Sequence, residues 1–466
     1  TNRRVGKGSR MPRRFQLSFG VFLALALLLV SLAPLTRSTH AANWHGLVLY
    51  FPQTGHHLSG DFLWAWISNG GLMTFGYPIT EPFTQDGMVV QYFERARFEY
   101  HPENQGTRYT VLATLLGNWM AEGRRNDAAF RPVQLDPNVA NDPERRYFPE
   151  TGHTLAYGFK AYWEANGGLY TFGYPISEEF TEWNPDTGEY YTVQYFERAR
   201  FEYHPENKGT PFVVLLGRLG VQYAQARGVD TSPVPKRPEA IEVPPQLLDY
   251  RWSRAVATDD GAIFGKVTAS TLAIRSAPSS SAPVVAWTYA RHPVAIRGLT
   301  LGDPVEGNPI WYELGDGRYV AAAWVEPLVP DLPPQRFGGH WVDVSLRSFY
   351  AVAYDGDRPV YVAIITAGRD GKTPTGVYQI FYRVRNETMD AATVGIPPGS
   401  PGYYYLTNVQ FTQYFKAGGY AIHGNYWTPP SQFGGFTSNG CVGLLNSDAE
   451  WFWNFLDIGS VVSIHY

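Results

Sequence analysis

The sequence predicts a mainly β, multi-domain chain: a C-terminal β-sandwich-like domain, a small β-barrel before it, and two α+β repeat modules in the N-terminal half. Three observations predict this. A length of 466 residues exceeds what one core organises and implies about three domains. Glycine (47) and proline (35) are abundant, charged residues reach only 17% and aromatics 15%, the composition of short strands joined by many turns. Apolar residues outside the leader run in short alternating stretches, the period of half-buried strands. A net charge of -4 argues against nucleic acid as the main partner. The single cysteine removes any disulfide framework within the chain.

Residues 1–41 read as a secretory signal peptide. Six basic residues between Arg3 and Arg14 precede the 12-residue apolar run Phe19 to Val30, and small Thr39 and Ala41 bracket a cleavage site. The run is short for a membrane span, so an uncleaved N-terminal anchor is the alternative. Either way the bulk of the chain is expected outside the cytoplasm, at the cell wall or cell surface.

A repeat fills residues 42–130 and 131–230. Asn69-Gly-Gly-Leu-Met-Thr-Phe-Gly-Tyr-Pro-Ile79 returns as Asn166-Gly-Gly-Leu-Tyr-Thr-Phe-Gly-Tyr-Pro-Ile176 at an offset of 97, and Gln91 to Asn104 recurs letter for letter as Gln194 to Asn207 at 103. The six extra residues fall in the turn around Asn184-Pro-Asp-Thr-Gly188, where a hairpin tolerates insertion. Each unit reads as a short aromatic helix (Phe62 to Ile67; Phe159 to Ala165), a Gly-rich turn and a hairpin. Two copies are too few for a solenoid and read as tandem modules. Through Thr-Phe-Gly-Tyr-Pro-Ile they resemble the LGFP-type modules of cell-surface proteins. Trp64, Trp66, Trp163 and Tyr162 read as module core rather than a sugar platform. The alternating charges Glu94, Arg95, Arg97 and Glu99, duplicated at Glu197, Arg198, Arg200 and Glu202, read as solvated charge ladders on hairpin faces rather than catalytic carboxylates. His101 and His204 read as turn residues.

Residues 231–258 form a Pro-rich linker (Thr231-Ser-Pro-Val-Pro-Lys-Arg-Pro238, Pro244-Pro245). In 259–328 the alternations at Leu272–Arg275, Val284–Val285, Val294–Ile296, Trp311–Tyr312 and Tyr319–Val320 predict a barrel of about five strands. Leu272-Ala-Ile-Arg-Ser-Ala-Pro278 and Gly317-Arg-Tyr-Val-Ala-Ala-Ala-Trp-Val325 resemble the bacterial SH3-like family, which implies attachment to the wall. A second linker, 329–338, leads to 339–466. There Trp341–Leu346, Tyr350–Tyr354 and Val360–Ile365 alternate cleanly, Asp355-Gly356 supplies a hairpin turn, and one helix is expected near Ala449 to Leu456.

Chemistry concentrates in this last domain. Cys441 lies in Ser438-Asn-Gly-Cys-Val-Gly443, a glycine-flanked turn that can present sulfur and backbone N–H groups together. His423 lies eighteen residues upstream in Ala421-Ile-His-Gly424. A nucleophilic thiol needs a base to draw off its proton, and imidazole serves at neutral pH. Taken singly, Cys441 reads first as an inert buried thiol and His423 as a satisfied core histidine. No spacing resembles a metal site, since His56-His57 lacks further ligands, and neither metal nor cofactor is expected.

His423-Gly424 followed by Ser438-x-Gly-Cys441, with Gly371-Lys-Thr-Pro-Thr-Gly-Val-Tyr378 upstream, resembles the L,D-transpeptidase catalytic domain (YkuD family). The resemblance implies Cys441 as nucleophile, His423 as general base, the Gly424 carbonyl orienting the ring, the N–H groups of Gly440 and Cys441 as oxyanion donors, and Ser438 holding the loop. It implies acyl transfer on peptidoglycan stem peptides: a 3→3 cross-link if an amine resolves the thioester, an L,D-carboxypeptidase if water does, and carbapenem inhibition. Two departures stand out. Asn439 replaces the family's histidine and cannot carry a proton, and Gly443 replaces an Arg or Asn that could hold substrate. They motivate the rival reading, a non-catalytic wall-binding or surface-structural protein. A papain-like endopeptidase is disfavoured, since there cysteine precedes histidine. The expected partners are peptidoglycan stem peptides and glycan, with no nucleic acid, no membrane beyond the anchor alternative, and a monomeric chain.

Overall fold

The structure, a computed structural model, describes residues 47–140 and 142–466; the leader read over 1–41 lies outside the described residues. The chain is mainly β and multi-domain. Among the described residues no helix is long and apolar enough to cross a membrane.

Each repeat begins with a hairpin (Val48–Phe51 with His56–Ser59; Arg145–Phe148 with His153–Ala156), continues through helices Gly60–Ser68 and Gly71–Phe75 or Tyr157–Ala165 and Gly168–Phe172, and ends in a four-stranded antiparallel sheet. The shared Asn-Gly-Gly has a steric cause. Gly70 and Gly167 sit at φ of 127° and 107°, and a Cβ on either would lie within 2.1 Å of the Thr74 or Thr171 hydroxyl. Trp66 and Trp163 are buried and donate their indole N–H to the Gly76 and Gly173 carbonyls at 2.9 and 3.1 Å, and Tyr162 is buried beside them; these rings are core. The charge ladders are not the solvated faces expected. Arg97, Arg200 and Glu202 are buried, and Arg97–Glu99 and Arg200–Glu202 pair tightly within their strands, because the flanking aromatics close over them.

The repeats exchange their last helices. Leu116–Met120, which follows the first repeat, lies on the second: the Asn118 N–H donates to Glu197 O (3.1 Å), and Ala121 and Phe130 pack on Val193 and Tyr195. Leu219–Ala226 returns to the first: the Val221 N–H donates to Glu94 O (3.1 Å), and Ala224 packs on Val90 and Tyr92. Gly117 and Gly220 make the approach feasible, since a Cβ there would stand 1.7 Å from Phe196 O and 1.9 Å from Phe93 O.

The proline-rich stretch 231–258 packs on its neighbours at several points of its second half. Ile241–Glu242 adds a parallel strand beside Val48–Phe51, and Leu247 and Trp252 join a core shared with Leu49, Ile310 and Tyr312. The middle domain contains eight strands in two sheets rather than about five. Ile263–Val267 and Val325–Pro327 were not anticipated, nor was Gly298–Val305, whose Gly302, Asp303 and Pro304 mask it; its pairing slips between Leu301 and Val305, which accommodates them.

The C-terminal domain is one ten-stranded curled sheet, the form taken by the expected sandwich. Its elements are β1 (His340–Ser345), β2 (Tyr350–Asp355), β3 (Arg358–Gly368), β4 (Gly376–Gln379), β5 (Tyr382–Asp390), β6 (Tyr405–Lys416), β7 (Tyr420–Gly424), β8 (Gly435–Ser438), β9 (Val442–Leu444), α1 (Asn446–Phe455) and β10 (Val461–His465). The order is β4-β10-β1-β2-β3-β9-β7-β6-β5, with β8 paired to β3. Val342, Ala363, Phe411, Ile422, Val442 and Phe452 of α1 form its core. A second cluster joins Val256 of the linker and Phe264 and Leu328 of the middle domain to Trp341, Tyr350 and Tyr354, so the middle and C-terminal domains share buried apolar surface.

Candidate active site

Strands β7 and β9 run parallel with His423 opposite Gly443. Cys441 lies immediately before β9, two residues ahead of Gly443, so the ladder brings the turn that carries the thiol beside the strand that carries His423. A nearly continuous apolar run, Val442-Gly-Leu444 against Ala421-Ile422, buries both strands and fixes this register.

His423 is buried, its Nδ1 bonded to the Gly424 carbonyl at 3.0 Å and its ring stacked on Trp427 at 5.5 Å. With Nδ1–H donating, the lone pair of the neutral ring sits on Nε2. Burial pulls the imidazole pKa down to about 4. The Cys441 thiol, partly exposed at its residue surface, donates to Gly419 O at 3.3 Å rather than to the imidazole. Loss of hydration pushes its pKa up to about 11; the Ala421 backbone opposes this by favouring the thiolate, and the Glu387 carboxylate reinforces it. At neutral pH the pair is therefore thiol and imidazole, not thiolate and imidazolium.

The turn before the cysteine is held on several sides. Ser438 Oγ donates to Cys441 O (2.7 Å) and accepts from the Gly440 N–H (3.2 Å). The Gly440 amide is thus engaged in the turn itself. Thr373 accepts from the Gly368 N–H (2.7 Å) and donates to Gly440 O (2.9 Å), tying the end of β3 to the turn. Asn439 is a clamp: Arg369 donates to its Oδ1 (3.0 Å), and its Nδ2 donates to Gly402 O (3.2 Å) in the 391–404 connection. Gly443 has no room for a side chain, since a Cβ would stand 2.3 Å from Thr366 Oγ1 and 2.8 Å from Asn425 Nδ2. Buried Asn425 occupies that space, donating to Thr366 Oγ1 (3.0 Å) and accepting from the Thr428 N–H (3.2 Å). Sequence reasoning passed over Thr373 and Asn425. Thr373 lay inside a motif already singled out, whereas Asn425 is linked to Gly443 only through the β7–β9 register.

A family model matches this part of the chain. Residues 339–464 match the L,D-transpeptidase catalytic domain, YkuD. The YkuD match covers all but the last residue of the curled sheet and includes both Cys441 and His423. Over 92 residues the chain is 35% identical to the probable L,D-transpeptidase 3 of Mycobacterium tuberculosis, covering 20% of this chain and 34% of that protein. Over 99 residues it is 32% identical to L,D-transpeptidase 2 of the same species, covering 21% and 24%. The chain thus spans about a third or less of the length of these curated relatives. Among solved structures it is similar to L,D-transpeptidase 3 from M. tuberculosis in complex with a faropenem-derived adduct (22% identity, TM-score 0.26, 34% of this chain and 77% of that one) and to an L,D-transpeptidase from M. smegmatis (16%, TM-score 0.27, 46% and 95%).

Proposed function

We propose that this chain is an extracytoplasmic, monomeric peptidoglycan L,D-transpeptidase that uses Cys441 as nucleophile and His423 as general base, without a cofactor. The observation that supports the reading is the β7–β9 ladder, which sets His423 opposite Gly443, two residues past Cys441, within the segment that matches the YkuD domain.

In this reading the thiol rotates away from Gly419 O and passes its proton to the imidazole as sulfur attacks the carbonyl carbon after the third stem residue. The C–N bond to the terminal D-alanine breaks, the imidazolium returns the proton to the departing amine, and a thioester remains. An amine of a neighbouring stem then attacks the thioester carbonyl and gives its proton to His423, and the C–S bond breaks to leave a 3→3 cross-link and a regenerated thiol. The Cys441 amide is the first candidate donor to the developing oxyanion, a contact typically worth about 3 kcal/mol; the Gly440 amide joins it only by leaving Ser438. The His423 tether to Gly424 O keeps the lone pair on one nitrogen, the role that an acid fills in other catalytic pairs. The repeats, as LGFP-type modules, and the SH3-like middle domain would hold the enzyme against the wall.

The test is muropeptide analysis of purified sacculi incubated with the wild-type chain and with Cys441→Ser. Wild type should yield 3→3 dimers and Cys441→Ser none. Shortened stems without dimers would instead identify an L,D-carboxypeptidase. No change in the sacculi, with no carbapenem adduct on Cys441 by mass spectrometry, would leave the non-catalytic reading.

A further inference from the structure

The chain passes from His423 to Cys441 through the connection 425–434 and the short strand β8, which leads straight into the Ser438–Cys441 turn. At the near end of this path Trp427 stacks on the imidazole at 5.5 Å. At the far end β8 has β3 as its strand partner, and the pairing slips between Ala367 and Gly368, so the ladder alone fixes β8 poorly.

Two residues of the middle domain grip the same path. Arg291 and His292 lie in the turn between the strands Val284–Tyr289 and Pro293–Ile296. Buried His292 donates its Nε2–H to Pro430 O (2.8 Å). Arg291 donates from Nη1 to Gly434 O (3.0 Å), the residue before β8, and from Nη2 to Ser348 O in the β1–β2 turn. Its guanidinium lies over the Phe349 ring, 5.5 Å from the centroid, and that ring meets Phe436 of β8 edge-on at 4.6 Å. The Tyr350 hydroxyl in turn donates to Arg291 O (2.7 Å), holding the arginine's own backbone.

This clamp differs from an ordinary contact between domains. Arg291 (φ 71°) and Phe349 (φ 60°) both hold left-handed backbone. That conformation is unfavourable for a residue with a Cβ, persists only where its surroundings over-determine it, and gathers where function needs a fixed geometry. Arg291 makes no ion pair among the described residues; its planar fork is directed at two backbone carbonyls, which matches position rather than charge. Cohesion does not require it, because the apolar cluster of Phe264 and Leu328 with Trp341 and Tyr354 already joins the two domains.

We propose that the middle domain is a working part of the thiol site, with Arg291 a positioning residue that fixes the start of β8 and, through it, the Ser438–Cys441 turn. Its effect on acyl transfer rests on the thiol chemistry proposed above; its effect on the turn does not.

Full-length Arg291→Gln and Tyr350→Phe, compared with wild type in two measurements, test this. Hydrogen–deuterium exchange across 430–441 should quicken at least about fivefold in Arg291→Gln, and less in Tyr350→Phe, while β1 and β10 keep their wild-type protection. Carbapenem acylation of Cys441, followed by mass spectrometry over a range of drug concentrations, should show the first-order acylation constant lowered about tenfold in Arg291→Gln and about threefold in Tyr350→Phe, with the half-saturating concentration within about twofold of wild type, as a displaced nucleophile requires. A contact that only holds the domains together would lower the melting temperature and leave that constant unchanged. Tyr350→Phe removes one hydroxyl from a ring that stays buried, so both readings survive if Arg291→Gln does not fold. Wild-type exchange across 430–441 in the folded variants, or a wild-type acylation constant in both, would overturn the proposal. A wild-type chain that takes no carbapenem would sink the transpeptidase reading instead, and the exchange comparison would still decide whether Arg291 positions the turn.

Discussion

Cys441 and His423 are tuned by burial in opposite directions, one up to about 11 and the other down to about 4. A thiol so poised is slow toward electrophiles that require a thiolate. At pH 7 iodoacetamide should label Cys441 about a hundredfold more slowly than an ordinary exposed cysteine, with the rate rising about tenfold per pH unit toward pH 11; a time course by mass spectrometry checks this, and ordinary labelling would mean a preformed thiolate. Thr373 joins Gly368 to Gly440. Thr373→Val keeps the volume but removes both bonds, and is expected to lower the carbapenem acylation rate about tenfold, with a melting temperature reduced by a few degrees. Gly443→Ala puts a methyl 2.3 Å from Thr366 Oγ1. It should cost about 1–3 kcal/mol in urea unfolding, as overpacking does. The thiol and imidazole were legible as motifs. Asn425 was not, because only strand pairing shows that its amide fills the room that Gly443 vacates.

At the scale of elements, β7 carries a histidine that folding strips of water. In the unfolded chain an imidazole takes up a proton near pH 6.5, whereas in the folded chain it waits until about pH 4. Between those values the unfolded state binds more protons, so stability falls as pH drops from 6.5 and the loss is complete below 4, reaching about 3 kcal/mol for this group. His423→Gln should flatten the wild-type decline in unfolding free energy over that interval; an unchanged slope would place the acid sensitivity elsewhere. The strands of the C-terminal sheet were visible as period-two runs. In the middle domain Gly298–Val305 was hidden because glycine, aspartate and proline depress strand propensity locally while the neighbouring strand supplies the pairing anyway. Helix α1 begins at Asn446, three residues before the stretch expected, since Asn446 and Ser447 carry no apolar signal of their own.

At the scale of the molecule, the repeats are one interlocked body. A methyl at Gly117 or Gly220 would collide with a backbone carbonyl of the opposite repeat. Gly117→Ala and Gly220→Ala should therefore pry the pair apart, seen as faster proteolysis in 116–144 and an increased radius of gyration by small-angle scattering. The periodicity of the sequence announces two copies, yet nothing in it says on which sheet each trailing helix lands, because that choice is made by contacts about a hundred residues apart in the chain. This barter has an evolutionary arithmetic. A lone copy, or a third, would leave a sheet uncapped, so such units should be gained and lost by twos. A single unit expressed alone should find a twin and sediment as a dimer.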